Sequence, residues 1–419
     1  MTHDSSVRRA PAPQAARGRR YRKPHIFYKK PGPLSMGIVA TLLVLLVFGL
    51  VMLFSASYAT GYYRMGDSCA YIRPQVRFAI LGVVIMLAVS FVDYRWMRKW
   101  TWPLYGVTLI LLIIVLFMPP INNHRRWINI EGLPTIQVSE IAKFSLILAV
   151  AHMMDAHKNK MRTFKTGVLM PVAVALPFWV AIAPETHYSA IVLLCCILIT
   201  MMWAGGTRPR WFGLGILAMG GGAGALMFFG RSYVADRFAG WLDPFSDVLN
   251  KTRQTAQSLY AVGSGGLFGL GIGNSRQKHL WLPEATNDFI FSILCEELGF
   301  VGAVICILLF AALIIQGVVV AMNAPDMFGA LVGVGIVAQI SWQILFNIAV
   351  VTNTIPNTGI SLPFFSSGGT SLLMLLAEMG VLLSICRAGN AKKQQEAQLK
   401  AEQLRAEQQS ADRQQGRNV

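Results

Sequence analysis

Leu282-Pro-Glu-Ala-Thr-Asn-Asp288-Phe-Ile-Phe-Ser-Ile-Leu-Cys-Glu-Glu297-Leu-Gly299 starts as a polar turn and becomes a strongly apolar helix. Asp288 stands at the junction, and Glu296 and Glu297 follow inside the apolar run. That run continues to residue 320, long enough to cross a hydrocarbon core of about 30 Å. Ionised groups at membrane depth are costly and are kept for a task or a partner. The stretch therefore predicts a membrane helix with a carboxylate at its mouth.

Outward from it, the chain repeats the apolar pattern. Segments near 36–57, 75–93, 102–118, 138–155, 166–183, 188–204, 211–229, 288–320, 327–351 and 368–387 are long enough, or nearly so, to span. Hydrophobic residues make up 54% and charged ones only 14%, which excludes an ordinary soluble domain. The expected fold is an all-α polytopic membrane protein of about ten transmembrane helices. A large extracytoplasmic loop, 230–287, is expected between helices 7 and 8. Three parts follow: a basic disordered cytoplasmic tail (1–34), an integral domain (35–390) and a charged cytoplasmic tail (391–419).

The net charge of +17 is concentrated in these tails and in short connections. Arg95, Arg98 and Lys99 lie in the second connection, Lys158, Lys160, Arg162 and Lys165 in the fourth, and Arg208 and Arg210 in the sixth. All fall on the side of both termini, which the positive-inside rule makes cytoplasmic. The basic tails are read as topology signals lying against anionic membrane lipids, not as a nucleic-acid surface.

Chemistry-bearing residues gather in the outside connections. Lys143 lies just over one turn into the fourth segment, at the expected level of Asp288. The two either form an ion pair or serve separately, Lys143 in a structural bridge or snorkelling to the headgroups. At a helix N-terminus the dipole would keep Asp288 ionised, as a base requires. Arg125 and Arg126 beside Trp127 suit a diphosphate or a sugar face, or an interfacial anchor. The run Gly263–Gly273 offers either backbone nests for an anion or tight packing, and no nucleotide-binding lysine follows it. Glu296, Glu297 and Glu378 are read as structural carboxylates; Glu297, about 13 Å down the helix from Asp288, cannot share a reacting atom with it. No zinc, nucleophile-elbow or dinucleotide motif occurs.

These loops together resemble the SEDS family, the membrane peptidoglycan glycosyltransferases that include FtsW, RodA and SpoVE. The resemblance covers essentially 35–390. It rests on Phe54–Ser57, Arg126-Trp127 through Lys143, Asp243-Pro244, Gln257–Gly273, Leu282–Gly299 and Asn353–Ser371. Departures occur at Gln137-Val138-Ser139-Glu140, at Pro184–Ser189, at Thr286-Asn287-Asp288 and at Ser366–Ser371. The long basic N-terminus and the start at Asn122 lean toward the FtsW branch.

The resemblance implies polymerisation of lipid II on the outer face of the cytoplasmic (inner) membrane, with Asp288 as catalytic base. Lys143, Arg126, Trp127, Glu284, Gln257, Ser367 and Gly368 are the implied substrate-binding residues. A divalent cation, Mg or Mn, is a candidate cofactor. Expected partners are a class B penicillin-binding protein transpeptidase, other division proteins and membrane lipids. The alternatives are an elongation or sporulation polymerase of RodA or SpoVE type, or a lipid-linked precursor flippase.

Overall fold

The computed structural model describes residues 32–120, 125–129, 135–185, 187–213, 215 and 232–415. The order is α1 (Met36–Met65), α2 (Ile72–Phe91), α3 (Met97–Val115), a two-stranded hairpin, α4 (Val138–Ala156), α5 (Met170–Ile182) and α6 (Tyr188–Ala204). After the undescribed stretch come α7 (Ser232–Leu242), α8 (Arg253–Ser264), α9 (Ile290–Met322), α10 (Met327–Val351) and α11 (Gly369–Gln415). Among the described residues, seven helices are long and apolar enough to cross a membrane. Six of them are α1, α2, α9, α10, and spans containing α3 and α5; the seventh begins α11. Most of the expected segment 211–229 lies outside the described residues.

Small residues let these helices approach closely, as expected where lipid removes the hydrophobic drive between helices. A Cβ on Gly82 of α2 would sit 2.4 Å from Leu376 Cδ1 of α11, and one on Gly380 would sit 2.6 Å from the Met86 carbonyl oxygen. Lipid-facing positions such as Ile80, Val84, Ile110 and Leu308 remain exposed.

One end of the bundle collects the basic connections. Arg98 pairs with Asp155 at 2.6 Å, Arg95 with Asp326 at 3.5 Å, and Arg387 Nη1 donates to the Ser90 carbonyl at 2.9 Å. The second connection, the end of α4 and the exit of α11 therefore share that end. The opposite end holds the hairpin of Trp127–Ile128 and Ile136–Gln137, paired antiparallel with Trp127 opposite Gln137. It also holds the loops around Asp288.

The glycine-rich run packs into α9. Gly299 breaks that helix with φ 65°, a left-handed value that glycine tolerates. Main-chain N–H groups of Leu270 and Gly271 donate to the carbonyls of Glu296 and Glu297, while Phe300 and Val301 donate back to Gly266 and Leu267. A Cβ on Gly269 would lie 2.2 Å from the Glu297 carbonyl oxygen, so the run must be bare to seat there. This reaches well below Asp288, so the connection 230–287 is not wholly an outside loop. Irregular backbone at that depth is tolerated because protein buries it.

Candidate functional site

Asp288 precedes α9, whose first residue is Ile290, and Phe289 occupies the N-cap position. It is held by two loops folded against each other. From below, Asn347 Nδ2 of α10 donates to the Asp288 carbonyl at 2.7 Å and to the Ile360 carbonyl at 2.8 Å. Alongside, Ser366 Oγ donates to the Asn287 carbonyl at 2.7 Å, and Ser367 N–H donates to the Thr286 carbonyl at 2.9 Å. Gln75 of α2 closes the arrangement, donating to the Ser366 carbonyl at 3.2 Å and accepting from Gly368 N–H at 3.2 Å. Ser367 and Gly368, expected to bind substrate, stand beside the Asp288 turn through their main chains.

Among the described residues, the four non-glycine positions with left-handed φ lie in these loops: Leu280, Glu284, Asn353 and Phe364. Such backbone persists only where its surroundings over-determine it, and it clusters at working sites. Gly359, with φ 70°, comes so close to the carboxylate that a Cβ there would lie 3.2 Å from Asp288 Oδ2.

No described residue donates a hydrogen bond to the Asp288 carboxylate. Its electrostatics come from burial and from neighbouring charges. Burial, then the Glu284 carboxylate, push it up to about 6, against the opposing pull of Arg237 and Arg126. Although it stands at a helix end, desolvation and a like charge hold it above the ordinary carboxylate range.

Lys143 is not a charge partner of Asp288. It is buried and pairs with Glu140 one turn earlier on α4, Nζ to Oε2 at 2.7 Å, and Ser371 Oγ donates to the same oxygen at 3.1 Å. A carboxylate at i−3 is within reach without any loop rearrangement, so the local pair prevails. The cations acting on Asp288 are Arg126, expected for substrate binding, and Arg237, which sequence reasoning placed in a loop without a role.

Arg126 also acts on Glu185, a buried carboxylate of the divergent Pro184–Ser189 connection. Trp127 is half-buried in the hairpin beside it. Gln257 is buried in α8, which is fixed to its neighbours by Ser258 Oγ contacts to Ser292 Oγ (2.8 Å) and the Val351 carbonyl (2.9 Å). Glu284 is exposed, accepts from Asn287 Nδ2 at 2.6 Å, and faces the cavity described below.

The deeper carboxylates are structural, as expected. Glu297 Oε1 pairs with Lys278 Nζ at 2.6 Å, both side chains wholly buried, and Ser55 Oγ of α1 donates to Glu297 Oε2 at 2.6 Å. Glu296 accepts from Ser275 Oγ at 2.5 Å and from Arg276 N–H at 3.0 Å. Together they anchor Ser275–Lys278, the segment that follows the glycine run. Lys278 had no signal in sequence beyond its charge. Glu378 accepts from Gln339 Nε2 at 2.8 Å.

Among the described residues, no three His, Cys, Asp or Glu side chains converge in a way that could hold a metal ion. Near Asp288 the available acid is Glu284, so a cation here would need oxygens from elsewhere. Magnesium is commonly held by one or two carboxylates plus phosphate oxygens of a ligand.

Fold and site define a multi-pass α-helical membrane protein with an acidic centre at one end of its bundle. The chain belongs to the FtsW/RodA/SpoVE family, whose model, described as "Cell cycle protein", matches residues 36–391. Stage V sporulation protein E of Bacillus subtilis is 38% identical over 364 residues, covering 86% of this chain and 98% of that protein. A probable peptidoglycan glycosyltransferase FtsW of a Geobacter species is 35% identical over 357 residues, covering 84% and 96%. Among solved structures, a chain of a peptidoglycan synthase complex matches with TM-score 0.71 at 24% identity, covering 85% of this chain and 98% of that one. The rod shape determining protein RodA of Thermus thermophilus matches with TM-score 0.62 at 24% identity, covering 84% and 97%.

Proposed function

We propose that this protein is a peptidoglycan glycosyltransferase that polymerises lipid II on the outer face of the cytoplasmic membrane, with Asp288 as general base. Family membership and the relatives' names support the activity. The observation that carries the role of Asp288 is its isolation: a half-buried carboxylate, held through its main chain, with no described donor on its oxygens. Such a group is free to accept a proton from substrate.

In the reaction, the 4-hydroxyl of the acceptor GlcNAc attacks the anomeric carbon of the donor MurNAc. Asp288 takes the hydroxyl proton as the new C–O bond forms and the bond to the diphosphate breaks. The diphosphate leaves as undecaprenyl diphosphate and needs no general acid, being already a weak base. A single displacement turns an α-linked donor into a β-linked glycan. Arg126 and Arg237, whose fields reach Asp288, are placed to offset charge on the departing diphosphate. A divalent cation, where one takes part, would be held by Glu284 or Asp288 with the diphosphate and would add charge neutralisation there.

The end of the bundle bearing Asp288 faces outward and both termini are cytoplasmic. The support is the Lys/Arg-rich short connections at the opposite end. A class B penicillin-binding protein is the proposed partner, because a structural neighbour belongs to a complex that coordinates polymerization and crosslinking. A septal role is proposed from the long basic N-terminus. Depleting the protein should make cells filament; rounding would point to elongation instead. Against a flippase stands the position of the isolated acid at one mouth, not at the midplane. The full chain reconstituted with lipid II should form glycan, and Asp288→Asn should not.

A further inference from the structure

Across the Glu284–Asn287 turn from Asp288 lies a cavity of about 370 Å³ that the reaction above does not use. The end of α1 supplies Thr60 and Arg64, the start of α2 supplies Tyr71, and the opposite wall is Arg253 with Leu280 and Glu284. Its size lies within the range of small-ligand sites. A contact between α1 and α9, part-way along both helices, sets its height. Ser55 of α1 touches Glu297 of α9, and both Arg64 and Asp288 lie nine residues outward from that contact. At 1.5 Å per residue each is about 13 Å above it, so Arg64 stands level with the acid.

The wall is built rigidly. Arg253 Nε and Nη2 donate to the carbonyls of Trp281 (3.0 Å) and Leu280 (2.6 Å), so that guanidinium is committed to the loop. Leu280 and Glu284 are two of the left-handed residues noted above. Arg64 differs: it is exposed and makes no hydrogen bond or ion pair with any described residue. Beside it Tyr62, Tyr63, His279 and Tyr58 form an edge-to-face row of rings, with centroids 5.7 to 6.4 Å apart. An uncommitted guanidinium at the mouth of a polar cavity, with Tyr71 in its wall, fits an amino sugar carrying an oxyanion.

We propose that this cavity is a substrate subsite in which Arg64 binds an oxyanion of a lipid-linked amino sugar while the sugar's reacting atoms lie at Asp288. The subsite rests on the lipid II reading. The oxyanion comes either from the diphosphate or from a carboxylate of the stem peptide, and the same guanidinium chemistry serves both.

The test is lipid binding by the full chain in nanodiscs, titrated with lipid II, with lipid II whose stem-peptide carboxylates are amidated, and with undecaprenyl diphosphate. Arg64→Gln should weaken lipid II binding about tenfold, and Arg64→Lys should recover part of it. A deficit that disappears with amidated lipid II assigns the peptide carboxylate. A deficit that persists there and appears with undecaprenyl diphosphate assigns the diphosphate. Unchanged affinity of Arg64→Gln for all three lipids would overturn the subsite. Glycan formation by the wild-type chain is followed in parallel, so a failure of the polymerase reading shows there independently of the binding result.

Discussion

A single side-chain amide, Asn347 Nδ2, binds the main-chain carbonyls of Asp288 and Ile360 and so ties the two loops of the site to α10. Asn347 is fully buried. Replacing it with leucine keeps much of its bulk but orphans two carbonyls, at about 1–3 kcal/mol each. Asn347→Leu should lower the melting temperature and reduce polymerisation per folded molecule. Unchanged specific activity would show that the amide does not position Asp288.

The raised pKa of Asp288 gives a pH signature. A general base must be ionised, so kcat/KM should rise with pH through a midpoint near 6. Because Glu284 contributes to the upward push and Arg237 opposes it, Glu284→Gln should move the midpoint down and Arg237→Gln should move it up.

The same shift has a stability consequence. The folded chain holds this proton more tightly than the unfolded one, whose carboxyl titrates near 3.8. The favourable contribution is complete below about pH 4 and is lost as pH rises through about 6. Asp288→Asn should therefore stabilise the fold at pH 8 by on the order of 2–3 kcal/mol, seen as a higher melting temperature, and have little effect at pH 4.

Gly359→Ala probes the closeness of the second loop. The new methyl would meet Asp288 Oδ2 at 3.2 Å on a backbone with φ 70°, which an L-residue disfavours. Reduced turnover with protein abundance retained is expected, since the segment lies at the mouth of the site. Wild-type turnover would argue against a constrained carboxylate.

The Lys278–Glu297 pair is expected to be structural. Lys278→Met leaves a buried carboxylate unpaired and should cost about 3–5 kcal/mol, while Lys278→Met with Glu297→Gln should recover most of it. Melting temperatures of the two variants against wild type decide this, and equal losses in the single and double variants would contradict it.

The membrane helices were legible because long apolar runs have few other uses; most described ones start or end within about five residues of their expected limits, while α1 runs on to Met65 and α11 to Gln415. Asp288, Arg126, Ser367 and Gly368 could be gathered from the loops that carry the family resemblance. Lys143 could not be placed, because sequence gives its depth but not whether a neighbouring turn or a distant loop supplies its counter-charge. Arg237 was no more than a charge in a long loop, and Asn347 and Gln75 went unnoticed, for a related reason. They act through long-range contacts to main-chain atoms or through their fields, which leave no local pattern. The insertion of the glycine run at the Gly299 break is another such contact, visible only once Gly269 meets Glu297.

The proposed catalysis turns on one carboxylate. Full-length wild-type and Asp288→Asn proteins, at matched levels in lipid vesicles with lipid II, should differ in initial rate of glycan formation by at least about a hundredfold. Asn287→Asp, one residue away, should not restore the Asp288→Asn variant. Polymerisation by Asp288→Asn at near the wild-type rate would contradict the assignment of Asp288 as the base.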